Sequence, residues 1–338
     1  MHYLVTGHTG FKGSWLSLML QMQGHTVSGI SLDPQEKSLF NQTDLFEIFE
    51  NDFRVDIRNR QEVTKTVAKI DPEVIIHLAA QPLVRESYKF PVETFETNVI
   101  GTLNVLEATR QLKNLKATLL ITTDKVYKNH NLLRGYLETD ELGGDDPYSA
   151  SKAAADLATQ SWIKSFATSP MAIARAGNVI GGGDWATDRI IPDLVNSYSA
   201  GELPNLRYPD AIRPWQHVLD CLSGYSKLID YMLATGLSGE WNFGPNLEQK
   251  YSVADLVSIF ARGWGVEASP AWKSDGGEHP YEAGYLLLDS TKAREKLGWS
   301  DSLGFIDSIN WTVDWYKNSD NRSVRLLCEN QVNQFVRL

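Results

Sequence analysis

Two cysteines among 338 residues leave little scope for covalent cross-linking. Cys221 and Cys328 lie far apart and outside any CxxC pattern, which argues against a disulfide framework or a cysteine zinc site and suits a reducing compartment. Positive charge is also short. Lys and Arg number 32 against 42 Asp and Glu, a formal net charge of −10. An acidic chain without basic runs is a poor partner for nucleic acid or an anionic membrane, so an anionic ligand must be met by cations gathered locally. No apolar run reaches the ~18 residues of a membrane-crossing helix, and no internal repeat or low-complexity linker occurs. The N-terminus enters a strand-like stretch with no charged leader before it. The expectation is a cytoplasmic globular protein without a metal centre.

What is present is an alternation. Apolar residues make up 42% of the chain, enough for a substantial core. HYLVTG, HTVSGISL, FRVDI, EVIIHLAA, KATLLITT and MAIARAGNVIG read as strands, and residues 12–23, 59–70, 91–112 and 146–167 as helices between them. Near-continuous apolar strands separated by helices predict an α/β fold, a doubly wound parallel sheet of Rossmann-like type. After about residue 180 the rhythm breaks. Loops rich in Gly, Pro and Asp then alternate with helices near 219–235, 253–264, 291–297 and 303–317, and SVRLLCENQVNQFVRL can form an amphipathic helix. The expected organisation is a nucleotide-binding domain over 1–180, a smaller C-terminal α/β lobe over 181–318 whose strands can return to the main sheet, and a helical tail over 319–338.

VTGHTGFKG sets Gly7, Gly10 and Gly13 between the first strand and the first helix, with Phe11 and Lys12 inside the loop. Glycines there let backbone amides and a helix N-terminus approach a pyrophosphate. A GxxGxxG match alone is weak; the strand–loop–helix–strand context gives it weight. Asp33, at the end of the second strand, is placed to accept hydrogen bonds from adenosine ribose hydroxyls and to repel a 2′-phosphate, which favours NAD over NADP. It is otherwise a plain turn residue. Lys12 and Lys37 are cations that would tolerate a phosphate. Asp56, followed by Ile57, is expected either to reach the adenine edge or to serve a turn or helix cap. Leu78, Ala79, Ala80 and Gln81 end the strand EVIIHLAA, where small side chains and backbone can line the nicotinamide end.

DPYSASKAAADL puts Tyr148 and Lys152 four apart on one helix face, just after Pro147. A phenol ordinarily titrates near ~10. A neighbouring ammonium and a cationic nicotinamide are expected to lower that and make Tyr148 a base. Thr122, Thr123 and Asp124 end the strand before this helix, on the edge where open α/β sheets bind ligands. Thr123 is the better candidate for the site and Thr122 for strand filling. Lys125 follows Asp124 directly; an exposed ion pair of small energetic worth is the plain reading of that pair.

The stretches VTGHTGFKGSWL, HLAAQPLVRESY, TTDK, RAGNVIGGGDWA and IRPWQHV resemble, over residues 3 to roughly 300, the extended short-chain dehydrogenase/reductases that modify nucleotide sugars, and within them the CDP-glucose 4,6-dehydratases. The resemblance implies a transient oxidation at C4 of the sugar by NAD⁺ after Tyr148 takes the hydroxyl proton. Water is then lost across C5–C6, and the hydride returns to C6. It implies Asp124 as the acid for the departing C6 hydroxyl. The similar dTDP-glucose enzymes have Asp-Glu at this point. Here Lys125 replaces the Glu, as base for the C5 proton, as a cation on the 4-keto oxygen, or as a water-positioning group. The resemblance further puts Asn178, Arg189, Arg213 and Asn242 around the diphosphate of CDP-glucose. Arg175 is either a further phosphate ligand or the partner of a buried carboxylate. His77 and His217 read as core histidines, and Trp15, Trp185, Trp215 and Trp241 as packing residues. The family's two long helices pair in a homodimer, here 91–112 and 146–167; the first carries Ile100, Val105 and Ala108 beyond its main apolar stripe. Competing readings are another nucleotide-sugar dehydratase, a 4-epimerase, which has no need of Asp124, and a non-catalytic NAD-binding regulator, which has no need of Tyr148, Lys152 or Asp124.

Overall fold

The computed structural model describes residues 1–246, 250–274, 277, 286–320 and 322–338. Seven parallel strands form the central sheet: β1 (His2–Thr6), β2 (Thr26–Ser31), β3 (Phe49–Arg54), β4 (Val74–His77), β5 (Ala117–Thr123), β6 (Met171–Ala176) and β7 (Gly239–Phe243). Their spatial order is β7-β6-β5-β4-β1-β2-β3. The winding reverses between β1 and β4, which opens a crevice at the strands' C-terminal ends. The α/β doubly wound architecture expected from the alternation is the one observed, and β7 returns from the C-terminal half to lie beside β6.

The strands are apolar because both faces of the sheet are covered. Every residue of β4, β5 and β6 is buried. Successive residues serve opposite faces, as strand geometry requires. Leu4 and Ile75 join Ile30, Val63, Val67 and Val105 on one side. Val5, Ile76 and Ile121 join Trp15, Val218 and Leu222 on the other. That second cluster continues into the C-terminal half through Leu256, Phe260, Val313 and Trp315, and on to Leu327, Cys328 and Val332 of the last helix.

FRVDI is a correction. The third strand is Phe49–Arg54, and only Phe53 and Arg54 of that stretch belong to it. As an edge strand bonded to β2 alone, β3 lacks the doubly buried signature. Val55 and Ile57 are apolar because, as loop residues, they plug the first of these clusters, beside Leu4, Ile30 and Val63. Elsewhere helices fall within a few residues of expectation, since their caps are explicit. Asn59 Oδ1 accepts from Glu62 N, and Asp146 Oδ1 from Ser149 N, opening Arg60–Ile70 and Pro147–Phe166. Ser252 and Asp255 form a capping box at Val253–Trp264. The helix from Pro91 ends at Thr109 and contains a wide π turn over Glu96–Ile100. Val324–Phe335 is amphipathic as expected, burying Leu327, Cys328 and Val332 and exposing Leu326. No helix among the described residues is long and apolar enough to cross a membrane.

One buried carboxylate joins the C-terminal helices to the core. Asp220, in the first turn of Val218–Thr235, accepts from Ser302 N (2.6 Å) and Leu303 N (3.2 Å) just before Phe305–Asn318. Burial pushes its carboxyl from 3.8 up to about 7. Between those values the folded state holds a proton that the unfolded chain has released, so this group's contribution to stability falls as pH rises through that window and is flat above it. Thermal melts of the wild type and Asp220→Asn from pH 4 to pH 8 test this. The difference in Tm, variant minus wild type, is expected to increase up to about pH 7 and then level off.

Candidate active site

A cavity of ≈ 880 Å³ opens where the strands end. It is lined by the loop after β1, the tips of β4, β5 and β6, the start of Pro147–Phe166, and the segments 176–193 and 204–215. Gly7 holds φ +75°, and a Cβ there would lie 2.7 Å from Ala79 N. A Cβ on Gly13 would lie 2.2 Å from Gly7 O. The loop is therefore pressed against the β4 tip on one side and the helix Phe11–Met22 on the other, with the amides of that helix's first turn facing the cavity region. Its first turn carries no acidic side chain to compete with an anion. These are the features a dinucleotide pyrophosphate needs, and the residues present fit one.

Gly7, Gly10, Phe11, Lys12 and Gly13 line the cavity, as do Asp56, Ile57, Leu78, Ala79 and Ala80. Asp56 Oδ1 also accepts from Arg58 N, and its two oxygens hold the Arg58 guanidinium, which draws the carboxyl below its ordinary range. Asp33 departs from expectation. β2 ends at Ser31, Leu32 is the last residue of that turn to line the cavity, and the Asp33 side chain, 89% exposed, lies 3.4 Å from Arg54 Nε. Gln81 turns away to Thr94 and Leu83. Lys37 Nζ sits 3.7 Å from the centroid of the Trp185 ring, committed to a surface cation–π contact.

The catalytic candidates converge. Thr123, Asp124, Lys125, Tyr148 and Lys152 all line the same cavity. Thr123 Oγ1 donates to Asp124 Oδ1 (2.8 Å), and Lys125 Nζ lies 3.4 Å from the same oxygen. Asp124 is 1% exposed, so the pair is not the surface ion pair of the plain reading. Asp124 Oδ2 is buried with no protein partner. A buried carboxylate oxygen without a partner is costly and marks a group reserved for something else. Thr122, by contrast, donates to Asp156 Oδ2 (3.1 Å) and is a framework residue as expected.

The lowering expected of Tyr148 counts on a cationic nicotinamide beside it, and the protein's own environment acts the other way. Burial pushes the Tyr148 phenol up to about 12, against the lowering effects of Thr123 and Arg189. Lys152 does not offset it: its Nζ donates to Ile121 O (2.9 Å), and burial with the nearby Lys12 brings it down to about 8. In the free protein the phenol is therefore protonated at neutral pH.

On the far side Asn178, Arg189 and Arg213 line the cavity, Arg189 Nη1 held by Asp184 Oδ2 at 3.0 Å. Asn242 does not, and this is a correction. It lies inside β7, fully buried, its Oδ1 accepting from Tyr127 OH and its Nδ2 donating to Tyr136 O. Both ends of its amide are committed to the core. Arg175 takes the second of its two expected roles. It is 0% exposed and bound twice to the equally buried Asp156, at 2.8 Å each. Removing one partner of such a pair costs about 3–5 kcal/mol. His77 bridges Thr6 and Thr102, and His217 Nδ1 accepts from Leu219 N, so both are core histidines; burial holds each near pKa 3. Trp215 lines the cavity, whereas Trp15, Trp185 and Trp241 pack elsewhere. Tyr127, Asp156 and Arg207 went unmarked in the sequence. Asp156 had a signal, lying one further helical turn beyond Lys152 on the Tyr148 face.

A family model described as GDP-mannose 4,6 dehydratase matches residues 4–312. The chain is 44% identical over 335 residues to the CDP-glucose 4,6-dehydratase of Salmonella typhimurium strain LT2, covering 96% of this chain and 92% of that protein. It is 27% identical to the dTDP-glucose 4,6-dehydratase of the same strain, over 94% and 92%. Among solved structures, dTDP-glucose 4,6-dehydratase from Bacillus anthracis strain Ames in complex with NAD aligns with a TM-score of 0.80 at 23% identity, over 97% of this chain and 99% of that one. A UDP-glucose 4-epimerase from Stenotrophomonas maltophila with bound NAD aligns with a TM-score of 0.83 at 20% identity, over 95% and 99%. These two structures bear on the fold.

Gly13→Ala tests the loop directly. The added methyl has only backbone to push against. Titration of the purified protein with NAD is expected to show binding weakened at least about tenfold, ~1.4 kcal/mol. Unchanged affinity would mean that the loop does not hold the dinucleotide.

Proposed function

The chain belongs to the GDP-mannose 4,6-dehydratase family of extended short-chain dehydrogenase/reductases, and from that premise we propose that it is an NAD-dependent CDP-glucose 4,6-dehydratase, a lyase that converts CDP-D-glucose to CDP-4-dehydro-6-deoxy-D-glucose and water. The observation that carries this reading is the buried acid beside the tyrosine. Asp124, with one oxygen unpartnered, shares a cavity with Tyr148 and a glycine loop built for a dinucleotide. A 4-epimerase or a regulator has no use for that acid. The nucleotide preference follows the 44% identical relative.

The roles divide as follows. When bound, NAD⁺ supplies the two-electron acceptor and later donor, with a positively charged ring. The glycine loop and Lys12 hold its pyrophosphate, Asp56 and Ile57 the adenine side, and Leu78, Ala79 and Ala80 the nicotinamide side. Asp33, one residue past the cavity wall, would meet the ribose hydroxyls only by leaving Arg54. Tyr148 accepts the proton of the sugar's 4-hydroxyl, which a phenol of pKa about 12 does only once cationic charge is brought beside it. Thr123 hydrogen-bonds the same oxygen, and Lys152 orients the cofactor and supplies charge. Asp124 gives a proton to the departing C6 hydroxyl, while Lys125 in its neutral form takes the C5 proton, or, as a cation, polarises the 4-keto oxygen while a water takes that proton. Asn178, Arg189 and Arg213 meet the diphosphate, since guanidinium groups pair with phosphate oxygens.

Incubation with CDP-, dTDP-, GDP- and UDP-glucose tests the reading through the alkaline absorbance of a 4-keto sugar. Product is expected from CDP-glucose alone; product from another nucleotide, or none, overturns it. With CDP-glucose, Asp124→Asn is expected to accumulate reduced nicotinamide, because oxidation survives while elimination slows. Tyr148→Phe is expected to give no reduced nicotinamide.

We also infer a homodimer. The helices Pro91–Thr109 and Pro147–Phe166 leave apolar side chains uncovered: Val92 (65% exposed), Phe95, Ile100, Leu157 (53%) and Phe166. Val105 and Ala108, expected on that second face, are buried within the subunit instead. A self-complementary pairing of the two helices with their copies would cover the patch. Sedimentation velocity is expected to give a dimer, with Leu157→Glu shifted toward monomer; a wild-type monomer at micromolar concentration would remove the proposal.

A further inference from the structure

Thr122 and Tyr127 flank the Thr123–Asp124–Lys125 turn, and one buried guanidinium system reaches both. Asp156 lies one helical turn past Lys152 and two past Tyr148. Its Oδ2 accepts from Thr122 Oγ1 (3.1 Å) and Arg175 Nε (2.8 Å), and its Oδ1 from Arg175 Nη2 (2.8 Å) and Gln160 Nε2 (2.9 Å). Arg175 Nη1 then donates to Tyr127 OH (2.9 Å) and Glu138 O (3.0 Å). The same phenol donates to Asn242 Oδ1 (2.8 Å). Burial holds that phenol well above its ordinary range, so it stays a donor toward Asn242 while accepting from Arg175. Every polar atom along this path has a partner, which makes the network stiff.

The oxidising pair is anchored elsewhere. Tyr148 N donates to Ser87 Oγ (3.1 Å), Asn98 Nδ2 to Ser151 Oγ (2.8 Å), and Lys152 Nζ to Ile121 O (2.9 Å). The Asp124–Lys125 turn has its own internal contacts, a hydrogen bond from Thr123 to the Tyr148 side chain and one from Gly143 N to Val126 O (2.8 Å), while Thr122 and Tyr127 tie its two ends to the guanidinium network.

We propose that Arg175, acting through the Tyr127 hydroxyl, is a positioning residue for the Asp124–Lys125 turn and serves the elimination step in preference to the oxidation step. The proposal rests on the dehydratase reading above. Oxidation at C4 needs Tyr148 and the cofactor, which the network does not touch directly. Loss of water needs Asp124 within hydrogen-bond reach of the C6 oxygen and Lys125 near C5 at the same moment, and small misplacements of such groups cost rate steeply. The network fixes the turn to the same helix that carries Tyr148, so acid and oxidising base keep one geometry.

Tyr127→Phe is the discriminating variant. The ring keeps its stack on Tyr136 (centroids 5.1 Å) and its contact with Arg175, and loses only the hydroxyl. Expected with CDP-glucose is a fall in kcat of about tenfold, with KM within about twofold, and reduced nicotinamide accumulating during turnover. Arg175→Lys keeps the charge but lacks the fork that spans Asp156 and Tyr127; it is expected to show the same signature more strongly, and where it fails to fold Tyr127→Phe decides alone. A Tyr127→Phe enzyme that loses Tm but keeps kcat, or slows with no accumulation of reduced nicotinamide, overturns the proposal and assigns the network to stability only. Wild type run alongside separates the two levels: no 4-keto product from wild type overturns the dehydratase reading and this proposal with it.

Discussion

A parallel sheet covered on both faces has one consequence that governs this molecule. All seven strands run the same way, so all their C-terminal ends, and the loops that follow them, come out along one edge. Everything reactive has to be assembled there. The glycine loop follows β1, the small-residue tip follows β4, the threonine–aspartate–lysine turn follows β5, and Asn178 follows β6. Residues more than a hundred positions apart in the chain become neighbours because the sheet leaves them nowhere else to be. The rest of each strand is committed to packing, and it is there that Leu4 and Ile75 enter one core while Val5, Ile76 and Ile121 enter the other.

Electrostatics on that edge runs against the character of the whole chain. The protein carries a formal charge of −10, whereas the cavity lining is close to balance, with Lys12, Lys152, Arg189, Arg207 and Arg213 among its cations and Asp56, Asp124, Asp184, Asp188 and Asp193 among its anions. Burial pushes Lys12 and Lys152 below their ordinary range, helped by Arg189 in the first case and by Lys12 in the second. Such crowding is unfavourable in the protein alone and becomes favourable toward a ligand that brings several negative charges. Local cations of this kind are what an acidic protein needs in order to meet an anionic ligand.

Much of this was legible from residues alone, for reasons that differ by element. β5 and β6 were plain because double burial writes a continuous apolar run; β3 was misread because an edge strand with Glu50, Asn51 and Asp52 does not, while Val55 and Ile57 imitate one. The Gly7, Gly10 and Gly13 loop, Tyr148, Lys152 and the Asp124–Lys125 pair were readable because their spacing carries the chemistry. Asn242 and Asp33 were not, since a side chain's direction at the end of a strand depends on partners distant in sequence: Tyr127 and Tyr136 for the first, Arg54 for the second. The height of the Tyr148 pKa could not be read either, because desolvation is a property of the closed cavity and leaves no mark in a YxxxK spacing.

The last helix, Val324–Phe335, packs against Phe11–Met22, and Trp315 Nε1 donates to the thiol of Cys328 beneath it. Two segments far apart in sequence are thus joined beside the helix that follows the glycine loop. A disturbance of Val324–Phe335 is therefore passed to Phe11–Met22, the helix whose first residues line the cavity, so that packing remote from the reactive groups bears on the shape of the loop.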